Sequence, residues 1–184
     1  MKIVQDVLPN EYKVQLQEIL FGSQFPWYWY DHTIQETNSI KQNIFQLQHI
    51  FFAKGNINSN YFKLIEPMFG YIEKSTGIEV KGVLRINANL LPRQVCNEDD
   101  IANTIHIDVT DDVESLTSFV YYLHDIDGDI NTYDKDYKII DSYAPKENSL
   151  VYFSSSMLHG TRPPIESKRR VCINFVLKTH DRRS

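Results

Sequence analysis

Three residues of types that bind metal ions stand at informative positions in the sequence. His106 and Asp108 are separated by one residue, and His159 follows much later in the chain. In an extended segment, side chains two positions apart point to the same side, so His106 and Asp108 can present an imidazole and a carboxylate to one ion. Two imidazoles and one carboxylate on one face of an octahedral ion are typical of non-haem Fe(II) centres. We therefore predict that these three residues bind Fe(II).

The same ligand set predicts what binds beside the metal. It leaves three adjacent coordination positions, enough for a 2-oxo acid that chelates through two oxygens and for O₂. A single carboxylate leaves Fe(II) with a net positive charge, which favours an anionic co-substrate such as 2-oxoglutarate. The distal carboxylate of that co-substrate needs a fixed cation, and a planar guanidinium suits it better than a mobile ammonium. Arg170, soon after His159, is the candidate.

Arg169 competes with Arg170 for this position. The two are neighbours on a predicted strand, so only one of them can face an interior cavity. Arg170 is in phase with Cys172 and Asn174, whereas Arg169 is in phase with the apolar residues of the strand, which we expect in the core. We therefore choose Arg170 and place Asn174 beside it in the co-substrate pocket.

The elements that must position these residues change character at Gly77. Before it, apolar residues spaced three and four apart predict helices over Pro9–Leu20 and Asn60–Lys74, the second kinked at Pro67. A weaker pattern suggests another helix within residues 40–54. After Gly77 the apolar period becomes two, which indicates strands.

The first predicted strand, Val83–Leu90, alternates strictly. One face is apolar, and the other carries Arg85, Asn87 and Asn89. Such a polar face is usually exposed to solvent, although it can also line a cavity. Further short strands are predicted over Thr104–Ile107, Thr117–Leu123, Ile130–Tyr133, Tyr137–Ile140, Ser149–Phe153 and Arg170–Leu177.

Helices followed by seven or eight short strands predict an α+β fold: an antiparallel jelly roll with N-terminal helices packed outside. The strand pattern by itself is equally compatible with another β-sandwich. The length of 184 residues predicts a single domain, 1–184, with a helical part over residues 1–77 and a jelly-roll core over residues 78–178.

Composition excludes several classes of protein. The net charge of −5 provides no overall basic field, so nucleic acid is an unexpected partner. Cys96 and Cys172 are the two cysteines, too few for a disulfide framework. The start of the chain lacks the apolar run of a signal peptide, and no apolar stretch is long enough to span a membrane. We expect a cytoplasmic protein.

Several segments resemble one known family. They are Arg85–Leu90, Tyr121–His124 followed by Asp127–Asp129, and Asn148–Phe153 leading to His159. Together with the metal motif they resemble the 2-oxoglutarate/Fe(II)-dependent dioxygenase superfamily, closest to its prolyl-hydroxylase-like branch of compact viral and bacterial members. The resemblance extends over about half of the chain.

This resemblance implies a double-stranded β-helix, a form of jelly roll, and a hydroxylase that releases succinate and CO₂, with ascorbate as a possible additive in vitro. The strand with the polar face lines the cavity in this family, so Asn89 joins Arg170 and Asn174 as a candidate co-substrate residue. Prolyl hydroxylases of the collagen type have lysine where this chain has Arg170, so the chain looks more similar to the oxygen-sensing and bacterial type.

Other functions remain open at this point. One is a non-catalytic jelly-roll module that binds a structural metal. Another is a zinc hydrolase, which lacks an evident general base here and leaves Arg170 without a role. For an oxygenase, a peptidyl proline is the leading substrate, and a free amino acid or other small metabolite is the alternative. Two segments, the aromatic Phe25–Tyr30 and the polar Pro92–Asn103, are candidates for covering the active site.

Overall fold

The computed structural model describes residues 1–33, 44–102, 104–109 and 115–181. These residues form eleven strands and four helices, in the order β1 (Lys2–Val4), α1 (Asn10–Phe21), β2 (Tyr28–Tyr30), β3 (Gln46–Ala53), β4 (Asn56–Ile57), α2 (Phe62–Ile65), α3 (Met68–Thr76), β5 (Ile78–Pro92), α4 (Glu98–Ala102), β6 (Leu116–Tyr122), β7 (Ile130–Tyr133), β8 (Ile139–Tyr143), β9 (Ser149–Ser154), β10 (His159–Thr161) and β11 (Arg169–Asp181).

The strands form two antiparallel sheets. The major sheet has the order β1-β9-β6-β11-β5-β3-β2, with β4 paired to β3, and the minor sheet has the order β10-β7-β8. A bridge between His106 and His159 adds the segment after α4 to the edge of the minor sheet. Mixed α and β structure dominated by antiparallel sheets confirms the predicted α+β jelly roll.

The two faces of the major sheet have different partners. On β11, Val171, Ile173 and Phe175 point to one face and belong to the main hydrophobic core together with residues of α1 and α3. The residues between them point to the other face, where Cys172 joins a smaller apolar cluster with Tyr122. Period-two alternation thus separates a core under the helices from a cavity face that looks toward the minor sheet.

Two of the predicted helices are confirmed, with local corrections. Helix α1 agrees with the helix predicted over Pro9–Leu20. The helix predicted over Asn60–Lys74 is divided into α2 and α3, with Pro67 just before α3. Helix α3 ends at Gly77, whose φ of 76° is in the left-handed region that glycine adopts without a steric penalty.

Two local predictions are wrong. Residues 46–53 form strand β3, not a helix, because they pair with β5 on one side and β2 on the other; residues 40–43 lie outside the described residues. Thr104–Ile107 is not a strand but makes the single bridge at His106. Strand β10, which begins at His159, was not expected as a strand.

Residues 1–77 are not purely helical. They contribute three helices and four strands, and β1, β2 and β3 all belong to the major sheet. The sheet therefore continues into the part of the chain that was predicted to be a helical layer. That residues 1–184 constitute one domain stays a prediction.

A turn after β6 holds the loop that leads into β11. The carboxylate of Asp127 accepts hydrogen bonds from the backbone N–H groups of Ile165, Glu166 and Ser167, at 2.7, 2.6 and 3.2 Å. Burial acts to raise the pKa of Asp127, but these hydrogen bonds outweigh it and hold that pKa well below its usual range. With its oxygens engaged by N–H donors, Asp127 belongs to a structural turn and not to a calcium loop.

Glycine is required next to this carboxylate. A Cβ on Gly128 would lie 2.5 Å from the backbone oxygen of Arg162, which is too close without movement of the backbone. The turn therefore fixes the segment that separates His159 from Arg170.

We expect Asp127→Asn to lower the free energy of unfolding by about 0.5–1.5 kcal/mol at neutral pH, because the hydrogen bonds lose their charge but remain partly exposed to water. A carboxylate with a depressed pKa contributes stability above its unfolded pKa and loses it as the pH falls through the folded pKa. The difference between wild type and variant should therefore shrink in acid. Urea unfolding at pH 7 and at about pH 3 measures it. Asp136→Asn is the control, and an equal loss in that variant would contradict the assignment.

Candidate metal centre

The structure brings His106, Asp108 and His159 together. One potential ligand atom from each residue lies within 4.8 Å of the others. His106 and Asp108 belong to the segment after α4, and His159 is the first residue of β10. Two backbone hydrogen bonds join the histidines, from His106 N to His159 O and from His159 N to His106 O, each 2.9 Å. The ligands predicted from the sequence therefore converge at one point.

A glycine permits this convergence. A Cβ on Gly160 would lie 3.2 Å from Thr104 Oγ1 and 3.3 Å from a side-chain carbon of Ile105, tighter than most real contacts. Because Gly160 has no side chain, the segment that carries His106 can approach β10 closely. The ring centroids of His106 and His159 are 4.3 Å apart as a result.

Hydrogen bonds orient both imidazoles. His106 Nδ1 lies 2.8 Å from the oxygen of Thr104, and His159 Nδ1 lies 2.9 Å from the oxygen of Met157. A carbonyl oxygen can only accept, so each Nδ1 carries the proton and each Nε2 keeps a free lone pair for a metal. Burial, and then the neighbouring His159, lower the pKa of His106 to about 4, so it is neutral at neutral pH. Neutral imidazoles are the form that binds metals.

The carboxylate of Asp108 is also held in place. Its side chain is 1% exposed. Oδ1 accepts from Arg85 at 2.5 Å, and Oδ2 accepts from the hydroxyl of Ser118 at 2.6 Å. Burial acts to raise the pKa of Asp108, but His159 and Arg85 outweigh it and lower that pKa below its usual value. The ionised carboxylate and the two imidazoles fit a divalent ion such as Fe(II).

Arg170 lies on the same face of the major sheet as the groups that contact Asp108. Ser118 pairs with Val176, which is in phase with Arg170 along β11. Arg85 also pairs with Val176, from the other side. Arg169 points to the opposite face, where its guanidinium lies 4.8 Å from the ring centre of Phe21. The alternation predicted for the two arginines agrees with these contacts.

The guanidinium of Arg170 is buried and has no anion beside it. Arg170 is 6% exposed, donates from Nη2 to the hydroxyl of Tyr122 at 2.9 Å and lies 5.2 Å from the ring centre of that tyrosine. Its Nε is buried without a hydrogen-bond partner, and no carboxylate of the described residues is within ion-pair distance. A buried cation without a counter-ion is costly. The arrangement is therefore suited to an anionic ligand.

Two tyrosines beside Arg170 were missed from the sequence. Burial raises the pKa of Tyr122 to about 12, so its hydroxyl stays protonated. Tyr143, on β8, packs against the same apolar cluster, and its buried hydroxyl has no partner among the described residues. Tyr122 is in phase with Ser118 and Val120 on β6, which is a signal that was available in the sequence. Tyr143 comes from the minor sheet, and no local pattern predicts its approach.

Asn89 and Asn174 lie on the cavity face as well. Asn89 pairs with Cys172, and Asn174 pairs with Asn87. The Oδ1 of Asn89 accepts from Gln48 at 2.9 Å and from Asn87 at 2.7 Å, whereas the Oδ1 of Asn174 is buried without a partner. The polar face predicted for β5 is therefore part of the cavity lining.

The two predicted covers of the site differ in exposure. Phe25 is buried, but Tyr28 and Trp29 on β2 are 59% and 58% exposed. Pro92–Asn103 contains helix α4, and part of this segment lines a pocket of about 510 Å³ together with residues 162–165. Neither segment contributes a metal ligand. Across the residues that the structure describes, no helix is both long and apolar enough to cross a bilayer.

Part of the chain matches the model of one protein family. Residues 95–178 match the model of the 2OG-Fe(II) oxygenase superfamily, and this range includes His106, Asp108, His159 and Arg170. No curated protein sequence matches the chain.

Solved structures show the same fold. A Trichoplax adhaerens prolyl hydroxylase in complex with a peptide of the hypoxia inducible factor oxygen degradation domain has a TM-score of 0.60 and 14% identity, over 99% of this chain and 84% of that one. A Pseudomonas putida prolyl-4-hydroxylase has a TM-score of 0.59 and 14% identity, over 96% and 91%. An α-ketoglutarate-dependent epimerase from nogalamycin biosynthesis has a TM-score of 0.59 and 10% identity, over 96% and 77%.

At these identities the structural likeness concerns the fold, which is shared by hydroxylases and an epimerase. The family match adds the segment that carries the metal-binding triad and the buried arginine. The family match over residues 95–178 and the shared fold support a 2-oxoglutarate/Fe(II)-dependent oxygenase, with Fe(II) as cofactor and 2-oxoglutarate as co-substrate.

Proposed function

We propose that the protein is a hydroxylase that acts on a peptidyl proline and releases succinate and CO₂. The observation that carries the oxygenase chemistry is the buried Arg170, which has an unpartnered Nε and lies on the same face of the major sheet as Arg85 and Ser118, the two groups that contact Asp108. A module with only a structural metal has no need for a buried cation at this position. An anionic co-substrate would supply the counter-ion that the buried guanidinium of Arg170 lacks among the described residues.

In this proposal His106, Asp108 and His159 hold Fe(II). When bound, the iron supplies the redox chemistry by which O₂ oxidises a substrate C–H bond while 2-oxoglutarate loses CO₂ and becomes succinate. The hydrogen bonds on Nδ1 of each histidine keep both Nε2 atoms directed at the ion. Ser118 holds the carboxylate of Asp108 in the same way. The chain thus orients its ligands before the metal arrives.

Arg170 holds the distal carboxylate of 2-oxoglutarate in our proposal. Its Nε provides one donor, and the hydroxyls of Tyr122 and Tyr143 provide two more, since neither hydroxyl proton has an acceptor among the described residues. Asn89 and Asn174 line the rest of the pocket. Apolar residues of the cavity cluster, among them Val120 and Val151, keep water away from these bonds and strengthen them.

The prolyl substrate is supported by two observations. One similar structure is a prolyl hydroxylase in complex with a peptide. In this chain Tyr28 pairs with Gln48 and is exposed, and Gln48 bonds to Asn89, so an aromatic side chain stands at the outer end of the cavity face. Exposed aromatic rings suit stacking on a proline ring. A small metabolite is the second candidate substrate, favoured by the similar epimerase structure.

We also propose that the protein works in a reducing, cytoplasmic environment. Cys96 is half-buried and Cys172 is buried, and both are free thiols. Cys172 pairs with Asn89 on the cavity face, so an oxidised sulfur there would alter the co-substrate pocket.

The first test concerns the metal ligands. We expect His106→Ala, Asp108→Ala and His159→Ala each to abolish Fe(II)-dependent consumption of 2-oxoglutarate, because two remaining ligands cannot hold the ion in place. Succinate formation with Fe(II) and ascorbate measures activity, and the weak visible charge-transfer absorption of the anaerobic complex with 2-oxoglutarate measures binding. His180→Ala, at an exposed site on β11, is the matched control. Full activity in the His159→Ala protein would contradict the proposed centre.

The second test compares the two arginines. Arg170→Ala should raise the KM for 2-oxoglutarate by at least about 30-fold, since loss of a buried charged contact costs roughly 2–5 kcal/mol. Arg169→Ala removes the same side chain from the opposite face and should leave this KM within about threefold of wild type. Tyr143→Phe should raise it about three- to tenfold through one lost hydrogen bond. A steep rise in this KM for Arg169→Ala, with no change for Arg170→Ala, would place the co-substrate on the opposite face of the sheet. That result would contradict the proposed role of Arg170.

The third test identifies the substrate. Enzyme, Fe(II), 2-oxoglutarate and ascorbate are incubated with proline-rich peptides, free amino acids and cell extract, and mass spectrometry detects products heavier by one oxygen atom. We expect oxidised proline in a peptide. Oxidation confined to small metabolites would exclude the peptidyl substrate while leaving the oxygenase chemistry in place.

A further inference from the structure

Arg85 stands at the boundary between the metal centre and solvent. It lies on the cavity face of β5, where it pairs with Val176. Its Nη2 donates to Asp108 Oδ1 at 2.5 Å. The side chain of Asp108 is 1% exposed, whereas that of Arg85 is 41% exposed. One end of the guanidinium therefore contacts a metal ligand, while the side chain as a whole remains partly exposed to solvent.

Within the residues that the structure describes, Asp108 is the one hydrogen-bond acceptor of this guanidinium. A guanidinium has five N–H donors in a rigid plane, a geometry that matches carboxylates and phosphates in pairs. Asp108 is the one carboxylate within ion-pair distance of Arg85 among the described residues, and the Nε of Arg85 is buried without a partner. Asp108 does not depend on Arg85 alone, because Ser118 holds its other oxygen. Holding Asp108 in position therefore does not account for the whole guanidinium of Arg85.

The sum of charges in the site with metal and 2-oxoglutarate bound also indicates that Arg85 has a further partner. A divalent metal, the carboxylate of Asp108, the two carboxylates of 2-oxoglutarate and the guanidinium of Arg170 sum to zero. Arg85 adds one positive charge that nothing in this set balances, next to the metal on its exposed side. A neutral substrate that covered the mouth would take this charge out of water without compensation, which is unfavourable.

The side chains around Arg85 do not supply the missing anion. The next residue on the same face of β5 is Asn87, and the residues that pair with Arg85 on the neighbouring strands are Val176 and Ala53. Asn174, which pairs with Asn87, is also neutral. In the described part of the chain, then, Asp108 is the one anion beside Arg85, and its neighbours on the strands of this face are apolar or amide residues.

We propose that Arg85 determines specificity by binding an anionic group of the primary substrate, a carboxylate or phosphate close to the C–H bond that is oxidised. In a peptide this group is an acidic side chain or a free C-terminus beside the target residue. In a metabolite it is the acid group itself. This proposal rests on the proposed function, because the charge balance assumes both Fe(II) and 2-oxoglutarate in the cavity.

A purely structural role for Arg85 makes a different prediction. If Arg85 only positions Asp108, its removal weakens metal binding and leaves the preference between anionic and neutral substrates unchanged. If Arg85 binds the substrate, its removal abolishes that preference, and the protein still binds the metal because Ser118 holds Asp108.

The first experiment detects an anion at Arg85 without turnover. Wild-type protein is loaded with 2-oxoglutarate and Zn(II), which also binds two imidazoles and a carboxylate. The arginine Nε–H signals are followed by NMR, with the signal of Arg85 identified by its loss in Arg85→Gln. Acetate and inorganic phosphate are then added in separate titrations. We expect a saturable shift of the Arg85 signal with one or both anions. No shift, or one no larger than that of the exposed Arg93, would overturn the proposal.

The second experiment measures substrate preference. Free amino acids and short prolyl peptides are each supplied as the acid and as the amide, and stimulation of 2-oxoglutarate consumption is measured. We expect the wild type to prefer acids by at least about tenfold in kcat/KM, and Arg85→Gln to lose this preference while it still binds Zn(II) and its KM for 2-oxoglutarate stays within about threefold. Arg93→Gln is a matched control just beyond the end of β5, where Arg93 donates to the backbone oxygen of Glu166, and it should keep the preference.

Two results in this second arm would count against the proposal: an unchanged preference in Arg85→Gln, or a loss of metal affinity as its main effect. Complete absence of 2-oxoglutarate consumption by the wild type would contradict the proposed function instead. The NMR titration needs no turnover, so it still decides whether Arg85 binds an anion.

Discussion

The pairing of β11 with β5 on one side and β6 on the other is the constraint on which the site depends. Strand β11 is held by hydrogen bonds along both edges, so its side chains must alternate between the two faces of the sheet. Val171, Ile173 and Phe175 enter the core beneath the helices. Arg170 and Asn174 consequently face the minor sheet. A shift of the register by one residue would bury Arg169 in the cavity and place apolar side chains where the co-substrate is proposed to bind.

The metal centre depends on a smaller contact of the same kind. Two backbone hydrogen bonds between His106 and His159 join the segment after α4 to β10. Around them, each potential ligand is held by a second group: a carbonyl oxygen for each imidazole, and Ser118 with Arg85 for the carboxylate. Side chains that are already oriented lose less conformational entropy when a metal binds. The buried charges are tolerated because each is hydrogen-bonded.

The cavity face carries buried donors and acceptors that the described residues do not satisfy, among them the Oδ1 atoms of Asn87 and Asn174. The Nε atoms of Arg85 and Arg170 and the hydroxyl of Tyr143 are all buried without a partner in the described residues. Folded proteins seldom leave such groups unpaired unless a ligand or water completes them. The two arginines are at different depths, since Arg170 is buried and Arg85 is partly exposed. Their separation is consistent with one anion inside the cavity and another at its mouth.

Residue types and local periodicity in the sequence were sufficient to nominate His106, Asp108 and His159 as metal ligands and to favour Arg170 over Arg169, whereas the family resemblance was needed to favour the jelly roll over another β-sandwich. The ligand spacing and the alternation of the two arginines are local features. Alternation along a strand determines which side chains share a face, whatever the position of that strand in the fold. The sequence did not predict β3 or β10 as strands, and it predicted one at Thr104–Ile107 that does not form, because strand formation there depends on partners far away in the chain. Only the tertiary structure brought Tyr143 from the minor sheet to the pocket of Arg170 and Arg85 from β5 to Asp108. Contacts between strands distant in sequence are set by sheet pairing and packing, which no single segment encodes.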